Sequence, residues 1–353
     1  MSRRVLVARL DSAGDVLVSG PAVRAVAAAP DTEVLLLCGP QGSAAANLLP
    51  GVAEVFTWAS PWIVDPAPQA TPEHLGTLLD WVRARDIDEA VILTSFHQSP
   101  LPLALLLRTA GVAKISGASV DYAGSLLDVR LKPGEDFPED QPEAERALRI
   151  AAAAGYRLPA DDDGRLMVRG IPEVADLVGD GPYVVVHPGA AVPARAYPPL
   201  HNAAVVELLT GAGYRVVVTG GPGETDLTAT VAGVAGLDLG GRTDMPTLAG
   251  VLAGASCVVV GNTGPAHLAA AVGTPIVSLF SPVVPAVRWA PYKVPLELLG
   301  DQNARCRNSR ARVCPVPGHP CLAGVNPEQV LEAVVRLTTG VTSLRTRRET
   351  RNG

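Results

Sequence analysis

The sequence predicts an α/β protein made of two doubly wound domains that face each other across a cleft. Short β-branched runs alternate with helical stretches along most of the chain, a pattern typical of a parallel sheet with helices on both faces. The alternation stops in the proline-rich, acidic segment Lys132–Pro142 and resumes at Tyr183. The chain has 353 residues, enough for two domains of ordinary size. Ligands of such sheets bind at the carboxyl ends of the strands, so we expect the site in the cleft.

Each half of the chain contains its own set of predicted strands and helices. In the first half we predict strands at Val5–Leu10, Val34–Cys38 and Ala90–Ser95, and helices at Pro21–Ala29 and Glu143–Gly155. In the second half we predict strands at Tyr183–His187, Tyr214–Thr219, Cys257–Gly261 and Pro275–Phe280, and helices at Ala203–Gly213, Glu224–Val234, Met245–Ala255, Pro265–Val272 and Pro327–Thr339. The expected organisation is an N-terminal domain over 1–165, a second domain over 166–325, a helix over 326–342 that packs back toward the N-terminal domain, and a disordered tail over 343–353.

Composition and charge narrow the classes of function. The formal net charge is -6, so bulk electrostatics disfavour nucleic acid as a partner. No apolar run reaches the roughly 18 residues that a membrane-spanning helix needs, and the N-terminus lacks the layout of a signal peptide. We therefore expect a cytoplasmic protein without a transmembrane segment, and peripheral contact with a membrane stays open.

The first candidate site is the turn after the first predicted strand, Asp11-Ser12-Ala13-Gly14-Asp15. Gly14 suits a close approach of the backbone, and Asp15 would project near the start of the next helix. A carboxylate in that position would act as a general base on a hydroxyl group, and for this role we expect Asp15 to have no permanent salt-bridge partner. The alternative is that Asp11, Ser12 or Asp15 only caps the helix.

Two loops of the second half also follow predicted strands. His187-Pro188-Gly189, with Arg195 further along, offers backbone N–H groups and a guanidinium that would bind phosphate, although an ordinary loop with an exposed arginine fits equally well. Gly220-Gly221-Pro222-Gly223-Glu224 would let a ligand lie against the backbone at Gly221, with Glu224 accepting hydrogen bonds from ribose hydroxyls. This loop is neither a Walker A sequence nor a complete dinucleotide fingerprint.

The most specific segment is Asn262-Thr263-Gly264, which follows an apolar strand and is continued by Pro265 and His267. Thr263 is expected to cap a helix whose first turn contains the proline. The positive end of that helix would bind a diphosphate, and His267 would donate a further hydrogen bond to the leaving phosphate. The alternative for His267 is a buried core histidine.

The cysteines indicate neither a disulfide framework nor a metal centre. Their number is odd, which argues against a complete set of disulfides in a cytoplasmic protein. Three of them lie near His319 in a segment rich in arginine, but their spacing matches no common zinc module. We expect no metal, and the role of this loop stays open. The five residues are Cys38, Cys257, Cys306, Cys314 and Cys321.

Taken in order, these segments resemble glycosyltransferase family nine, the heptosyltransferase family. The family motif Ser-x-Gly-Asp-Val-Leu reads here as Ser12–Leu17, and the His-Pro-Gly/Ala motif with its basic residue and aromatic-Pro pair reads as His187–Gly189, Arg195 and Tyr197-Pro198. The late motif, Asp-Thr/Ser-Gly-x-x-His-Leu-Ala-Ala-Ala, corresponds to Asn262–Ala271. Gly273-Thr274-Pro275 and Arg288–Tyr292 follow it as in the family. The resemblance covers nearly the whole chain.

The resemblance implies the GT-B architecture of two Rossmann-like domains, with acceptor binding by residues 1–165 and nucleotide-sugar binding by 166–325. It implies inverting transfer of a heptose from an ADP-linked donor, without a metal or other cofactor. Asp15 falls on the family's general base, Arg195 on its phosphate-binding residue, and Thr263, Gly264 and His267 on its diphosphate-binding turn. The full set of expected donor-binding residues is His187, Gly189, Arg195, Gly221, Glu224, Asn262, Thr263, Gly264 and His267.

Two departures from the family pattern leave the exact donor sugar open. Asn262 stands where the family usually has Asp, and Arg195 stands where it usually has Lys, which keeps the charge but changes the geometry. We expect the acceptor to be a hydroxyl of a cell-surface glycan or of a small natural product. A nucleotide-sugar epimerase of the same architecture and a non-catalytic sugar-nucleotide-binding protein remain as alternatives. A nicotinamide-dependent oxidoreductase would need a dinucleotide fingerprint near the first strand, and the sequence lacks one.

Overall fold

A computed structural model of the protein describes residues 2–349, with side chains described as far as residue 339. The chain forms two compact units, Met1–Arg169 and Gly170–Gly353. The division falls close to the expected boundary between residues 165 and 166. Residues 350–353 of the expected disordered tail lie outside the described part of the chain.

The first unit contains a six-stranded sheet in which every neighbouring pair of strands is parallel. Its strand order, β3-β2-β1-β4-β5-β6, is that of a Rossmann fold, and the direction of winding reverses between β1 and β4. The strands are β1 (Arg3–Arg9), β2 (Thr32–Cys38), β3 (Val52–Thr57), β4 (Glu89–Ile92), β5 (Lys114–Ala118) and β6 (Val129–Leu131).

The helices of the first unit cover both faces of this sheet. Side chains alternate between the faces along a strand, and Val5, Leu6, Val7 and Ala8 of β1 are all buried, as expected for a strand between two helical layers. The helices are α1 (Ala13–Val18), α2 (Gly20–Ala27), α3 (Ser43–Ala46), α4 (Pro72–Ala84), α5 (Leu101–Ala110) and α6 (Glu143–Ala153).

The second unit repeats the same topology. Its strand order is β12-β11-β10-β7-β8-β9, which is again the Rossmann order, with the reversal between β7 and β10. The predicted fold class, α/β with two Rossmann-like domains, is confirmed. The strands are β7 (Val184–His187), β8 (Val216–Gly220), β9 (Leu237–Gly240), β10 (Cys257–Gly261), β11 (Ile276–Leu279) and β12 (Leu296–Leu299).

The last helix of the chain packs within the second unit. It contacts α8 and strands β10 to β12, and buries Val330 and Val334 in the core of that unit. It continues to Glu349, into the segment expected to be disordered. The helices of this unit are α7 (Ala175–Val178), α8 (Pro199–Gly211), α9 (Thr225–Ala232), α10 (Met245–Ala253), α11 (Gly264–Ala271), α12 (Ala286–Trp289), α13 (Pro320–Ala323) and α14 (Pro327–Glu349). None of the helices in the described residues is long and apolar enough to cross a bilayer.

Candidate functional site

The sheet of the second unit reverses its winding between β7 and β10, which lie side by side and run parallel. His187, the last residue of β7, is paired with Val260 of β10. The chain leaves β7 toward β8 on one side and leaves β10 toward β11 on the other. The loops after the two strands therefore separate and leave a crevice at the carboxyl edge, which is where open α/β sheets bind ligands.

A cavity of about 300 Å³ lies at this edge of the second sheet. The loops that follow β7, β8 and β10 all contribute to it, so segments far apart in sequence converge on one space. Three of the expected donor-binding residues, Arg195, Asn262 and His267, lie outside its lining. The expected residues that line it are His187, Gly189, Gly221, Glu224, Thr263 and Gly264.

His187 presents a buried imidazole to the cavity. Its Nδ1 lies 3.0 Å from Thr219 Oγ1, which fixes the ring. Burial lowers the pKa of His187 to about 4, although the Glu224 carboxylate acts in the opposite direction. The ring is therefore neutral near pH 7, so it can offer hydrogen bonds but not positive charge to a ligand.

Glu224 ends a short 3-10 turn, Pro222–Glu224, directly after β8. The backbone N–H of Gly221 donates to Glu224 Oε2 at 2.7 Å, so the carboxylate is turned back over the loop. It lies against Gly189, where a Cβ would overlap it. Gly189 is thus required for close approach between the loops after β7 and β8, and the held carboxylate is an acceptor for hydroxyl groups.

The turn after β10 delivers unpaired polar groups to the start of α11. Asn262 is buried, and neither its Oδ1 nor its Nδ2 has a hydrogen-bond partner among the described residues. The Thr263 hydroxyl is also buried without a partner there. Thr263 occupies the expected N-cap position with extended backbone, but its side chain makes no capping hydrogen bond. Buried polar groups without a partner are available to form hydrogen bonds with a ligand. These groups lie at the N-terminus of α11, where the positive end of the helix dipole favours an anion.

The backbone of Arg195 lies against the residue before this turn, and His267 lies in the helix after it. Arg195 ends the 3-10 turn Pro193–Arg195, and its carbonyl oxygen faces Gly261 so closely that a Cβ there would lie 3.1 Å from it. The backbone of Arg195 therefore packs against the residue that precedes Asn262. His267 is buried within α11, in keeping with the alternative of a core histidine.

One wall of the cavity was not predicted from the sequence. Thr243, Asp244, Met245 and Leu248 line it from the loop after β9 and the first turns of α10. Asp244 caps α10 by accepting the backbone N–H of Thr247 at 2.8 Å. An acidic N-cap followed by Met-Pro was the available signal for a helix start at a strand end. The two apolar side chains offer a surface for a flat, weakly polar group.

In the first unit, Asp15 takes part both in the N-terminal cap of α1 and in an ion pair. Asp15 lies in the first turn of α1, and its Oδ2 accepts the Ser12 N–H at 3.1 Å and the Ser12 hydroxyl at 2.6 Å. Its Oδ1 accepts a hydrogen bond from Arg9 Nη2 at 3.0 Å. The expectation that Asp15 has no permanent salt-bridge partner is therefore wrong, because Arg9, at the end of β1, is buried directly beside it.

Asp11 shares the same guanidinium. Its Oδ2 lies 2.9 Å from Arg9 Nε, and its Oδ1 accepts a hydrogen bond from the Gln98 amide. Burial raises the pKa of Asp11 to about 6, with a further contribution from Asp15, while Arg9 and Gln98 act in the opposite direction. Two carboxylates therefore compete for one buried cation at the carboxyl end of β1.

The C-terminal cysteines belong to the core of the second unit. Cys306 and Cys321 are buried within it, and Cys314 packs against it. His319 directs its Nε2 to the carbonyl oxygen of Ala194, 3.1 Å away. Within residues 2–339, no group of three or more His, Cys, Asp or Glu side chains is arranged to hold a metal ion.

Comparisons with known proteins agree with the motifs. The model of glycosyltransferase family 9 (heptosyltransferase) matches residues 101–319. Lipopolysaccharide heptosyltransferase 3 of Escherichia coli is 32% identical over 116 residues, 31% of this chain and 34% of that protein. Lipooligosaccharide heptosyltransferase 2 of Haemophilus influenzae is 28% identical over 117 residues, 31% of this chain and 34% of that protein. These alignments span about a third of the relatives' length.

Solved structures share the fold over nearly the full chain. The E. coli ADP-heptose lipopolysaccharide heptosyltransferase II superposes with a TM-score of 0.73 at 20% identity, over 96% of this chain and 99% of that chain. A family 9 glycosyl transferase from Veillonella parvula gives a TM-score of 0.77 at 16% identity, over 96% and 98%. Since the family model covers more than half of the sequence, and the motifs lie at the expected strand ends, the chain belongs to glycosyltransferase family 9, the heptosyltransferase family.

Proposed function

We propose that this protein is an inverting glycosyltransferase that moves a heptose from an ADP-linked donor to a hydroxyl of a cell-surface glycan or a small natural product. The observation that carries the proposal is the convergence of three loops on one cavity at the reversal point of the second sheet. Family membership supports it, as do the similar proteins, which include ADP-heptose and lipopolysaccharide heptosyltransferases.

In the proposed reaction, Asp15 takes the proton from the acceptor hydroxyl. The acceptor oxygen forms a bond to the anomeric carbon on the face opposite the nucleotide, and the sugar–phosphate bond breaks with its electron pair going to the diphosphate. An anionic carboxylate held by Ser12 and Arg9 is suited to accept that proton, because general bases must be within hydrogen-bond reach and correctly oriented.

The departing diphosphate gains negative charge, which the enzyme must stabilise more in the transition state than in the ground state. We assign this task to the start of α11, to Thr263 and Gly264, and to the cation of Arg195. Fixed N–H groups and hydroxyls need no reorganisation during the reaction. Asn262 offers an amide where the family usually has a carboxylate, so we propose that the turn contacts the donor directly and that the reaction needs no metal.

The other half of the donor would lie toward β8 and β9. Glu224, held by Gly221, accepts the ribose hydroxyls, and neutral His187 adds a hydrogen bond. Met245 and Leu248 provide the apolar surface on which a purine would lie, since aromatic faces pack favourably against such side chains.

The test is a thermal-shift and calorimetric panel of ADP, UDP, GDP and ADP-heptose, followed by mass spectrometry of reactions with lipopolysaccharide cores and polyhydroxylated small molecules. We expect ADP and ADP-heptose to raise the melting temperature most, because ligands that bind only the folded state stabilise it, and we expect activity to survive EDTA. Asp15→Asn should bind ADP-heptose normally but transfer it at a small residual rate, lower by about a hundredfold or more. Epimerisation of the free nucleotide sugar without any acceptor would favour an epimerase, and full turnover by Asp15→Asn would refute the assignment of the base.

A further inference from the structure

Arg9, which lies beside Asp15, is almost completely buried, with 2% of its surface exposed. Arg9 is the last residue of β1, and its guanidinium lies against the turn that contains Asp11 and Asp15. Its Nη2 donates to Asp15 Oδ1 at 3.0 Å and to Ser95 Oγ at 2.7 Å. Its Nε faces Asp11 at 2.9 Å, and its Nη1 lies 3.8 Å from Glu143 Oε2. One side chain therefore connects the ends of β1 and β4, the turn and the first residue of α6.

The charges around Arg9 show that this contact is not incidental. Burial alone would lower the pKa of Arg9, yet the carboxylates of Asp11, Asp15 and Glu143 raise it above its ordinary value. A buried guanidinium needs nearby opposite charge to offset its loss of hydration. The attraction is mutual, so Arg9 in turn holds the carboxylates of Asp11, Asp15 and Glu143 near the turn.

The two carboxylate oxygens of Asp15 accept hydrogen bonds from different donors. Oδ2 accepts both the N–H and the hydroxyl of Ser12, which uses its two in-plane lone pairs. Among the described residues, Oδ1 accepts from Arg9 alone, so it retains one lone pair. The Asp15 side chain is 16% exposed, so this carboxylate is partly accessible, whereas Arg9 beneath it is not.

We propose that Arg9 is a positioning residue for the base: it occupies one lone pair of Asp15 Oδ1 and aims the remaining lone pair of that oxygen at the acceptor hydroxyl. This inference rests on the proposed role of Asp15 as the general base. Arg9 itself touches no substrate. Because Nη2 bridges Asp15 and Ser95 while Nε faces Asp11, the planar guanidinium holds three partners in one geometry, which a single ammonium group cannot do.

The experiment compares Arg9→Lys with the unmodified protein in transfer from ADP-heptose to the acceptor that the mass-spectrometric panel identifies. We expect kcat to fall by between about tenfold and a hundredfold, because small misplacements of a catalytic group have effects of that size. The KM for ADP-heptose and the Kd for ADP should stay within about twofold, since the donor site is untouched. Ser95→Ala is a milder change, which removes one of the two hydrogen-bond acceptors of Arg9 Nη2. It should also lower kcat while leaving the KM for ADP-heptose and the Kd for ADP unchanged.

The matched control is Arg24→Lys. Arg24 is also buried in the first unit, and its Nε and Nη2 donate to both oxygens of Asp162 at 2.7 and 2.9 Å. We expect this variant to lose stability without a selective loss of kcat per folded molecule. If Arg9→Lys behaves like Arg24→Lys, Arg9 has only a structural role and the inference is overturned.

A double-mutant cycle separates this inference from the proposed function. In the Asp15→Asn background, Arg9→Lys should cause no further loss, because the group that it positions is already removed. Additive losses would refute the positioning role while leaving Asp15 as the base. Wild-type turnover by Asp15→Asn alone would instead refute the proposed function. If Arg9→Lys does not fold, Ser95→Ala takes its place in the cycle with the same expected and contrary outcomes.

Discussion

Gly189 lies directly against the carboxylate of Glu224, so that a Cβ on this glycine would overlap the carboxylate group. The two residues follow β7 and β8, which are neighbours in the sheet. Their contact joins the two loops that form one side of the proposed donor site, and the N–H of Gly221 holds the carboxylate in this place.

This contact predicts that Gly189→Ala weakens nucleotide binding without unfolding the protein. The new methyl group would push the Glu224 carboxylate away from its place, because it is the free end of a flexible side chain. A hydrogen bond to a charged group contributes roughly 1.5–3 kcal/mol, so ADP affinity should fall about tenfold or more. The matched control is Gly223→Ala in the loop that carries Glu224, where a Cβ meets open space. Equal ADP affinities for the two variants by calorimetry would contradict the role given to Glu224.

Arg195 provides the second prediction. In the proposed site its guanidinium binds the donor phosphates, so Arg195→Ala should weaken both ADP and ADP-heptose about tenfold or more. The loss should be larger at low ionic strength, where screening is weaker. Arg336→Ala serves as the control, because the ion-pair partners of this exposed arginine among the described side chains are Glu297 at 3.2 Å and Glu332 at 3.8 Å. An unchanged affinity of Arg195→Ala in low salt would remove Arg195 from the donor site.

His187 provides a prediction on pH and stability. The pKa of His187 is about 4 in the folded protein because the ring is buried, whereas an unfolded histidine has a pKa of about 6.5. Between these values the unfolded chain binds more protons, so the free energy of unfolding falls as the pH is lowered through this window. From pH 7.5 to pH 5, His187 should account for a loss of about 2 kcal/mol.

The measurement is the unfolding free energy of wild type and His187→Gln at both pH values. The glutamine cannot titrate, so the acid-induced loss should be smaller in the variant by that amount. Asp11 provides a comparison of opposite sign. Its pKa is raised to about 6 by burial, so the folded state binds more protons than the unfolded chain between about pH 4 and 6, and Asp11 favours folding as the pH falls there. Parallel pH dependences of wild type and His187→Gln would show that the imidazole is not buried in its neutral form.

The strands that were predicted from the sequence are inner strands of the two sheets, whereas all but one of the strands that were missed lie at a sheet edge. The central strands β1, β7 and β10 are continuous apolar runs because helices cover both faces, and their β-branched composition was sufficient to predict them. The outermost strands of both sheets, β3, β6, β9 and β12, were missed. They are short or only half-buried, so they carry little of the apolar signal on which the prediction depends. The inner strand β5 was missed as well, and Ser116 and Gly117 weaken its pattern.

The motifs of the candidate site could be recognised in the sequence, but the contacts between their side chains and distant segments could not. Each motif follows a strand, so its place at the carboxyl edge could be inferred. The pairing of Arg9 with Ser95 and Glu143 depends on β1 lying beside β4 and on where α6 begins. Strand order is not encoded in any local pattern, so the contacts of Arg9 with Ser95 and Glu143 were not anticipated.

A substitution of Gly264 offers the sharpest test of whether a nucleoside diphosphate binds at the start of α11. Gly264 lines the cavity at the first position of the helix, so Gly264→Val would fill the space in which the diphosphate must approach the backbone. The control is Gly211→Val at the end of α8, where a Cβ meets nothing within 4 Å. The measurement is titration calorimetry of ADP into wild type and both variants. One-site binding in wild type and Gly211→Val, with none in Gly264→Val, is the predicted result. If Gly264→Val binds ADP with undiminished affinity, the diphosphate does not bind at the start of α11.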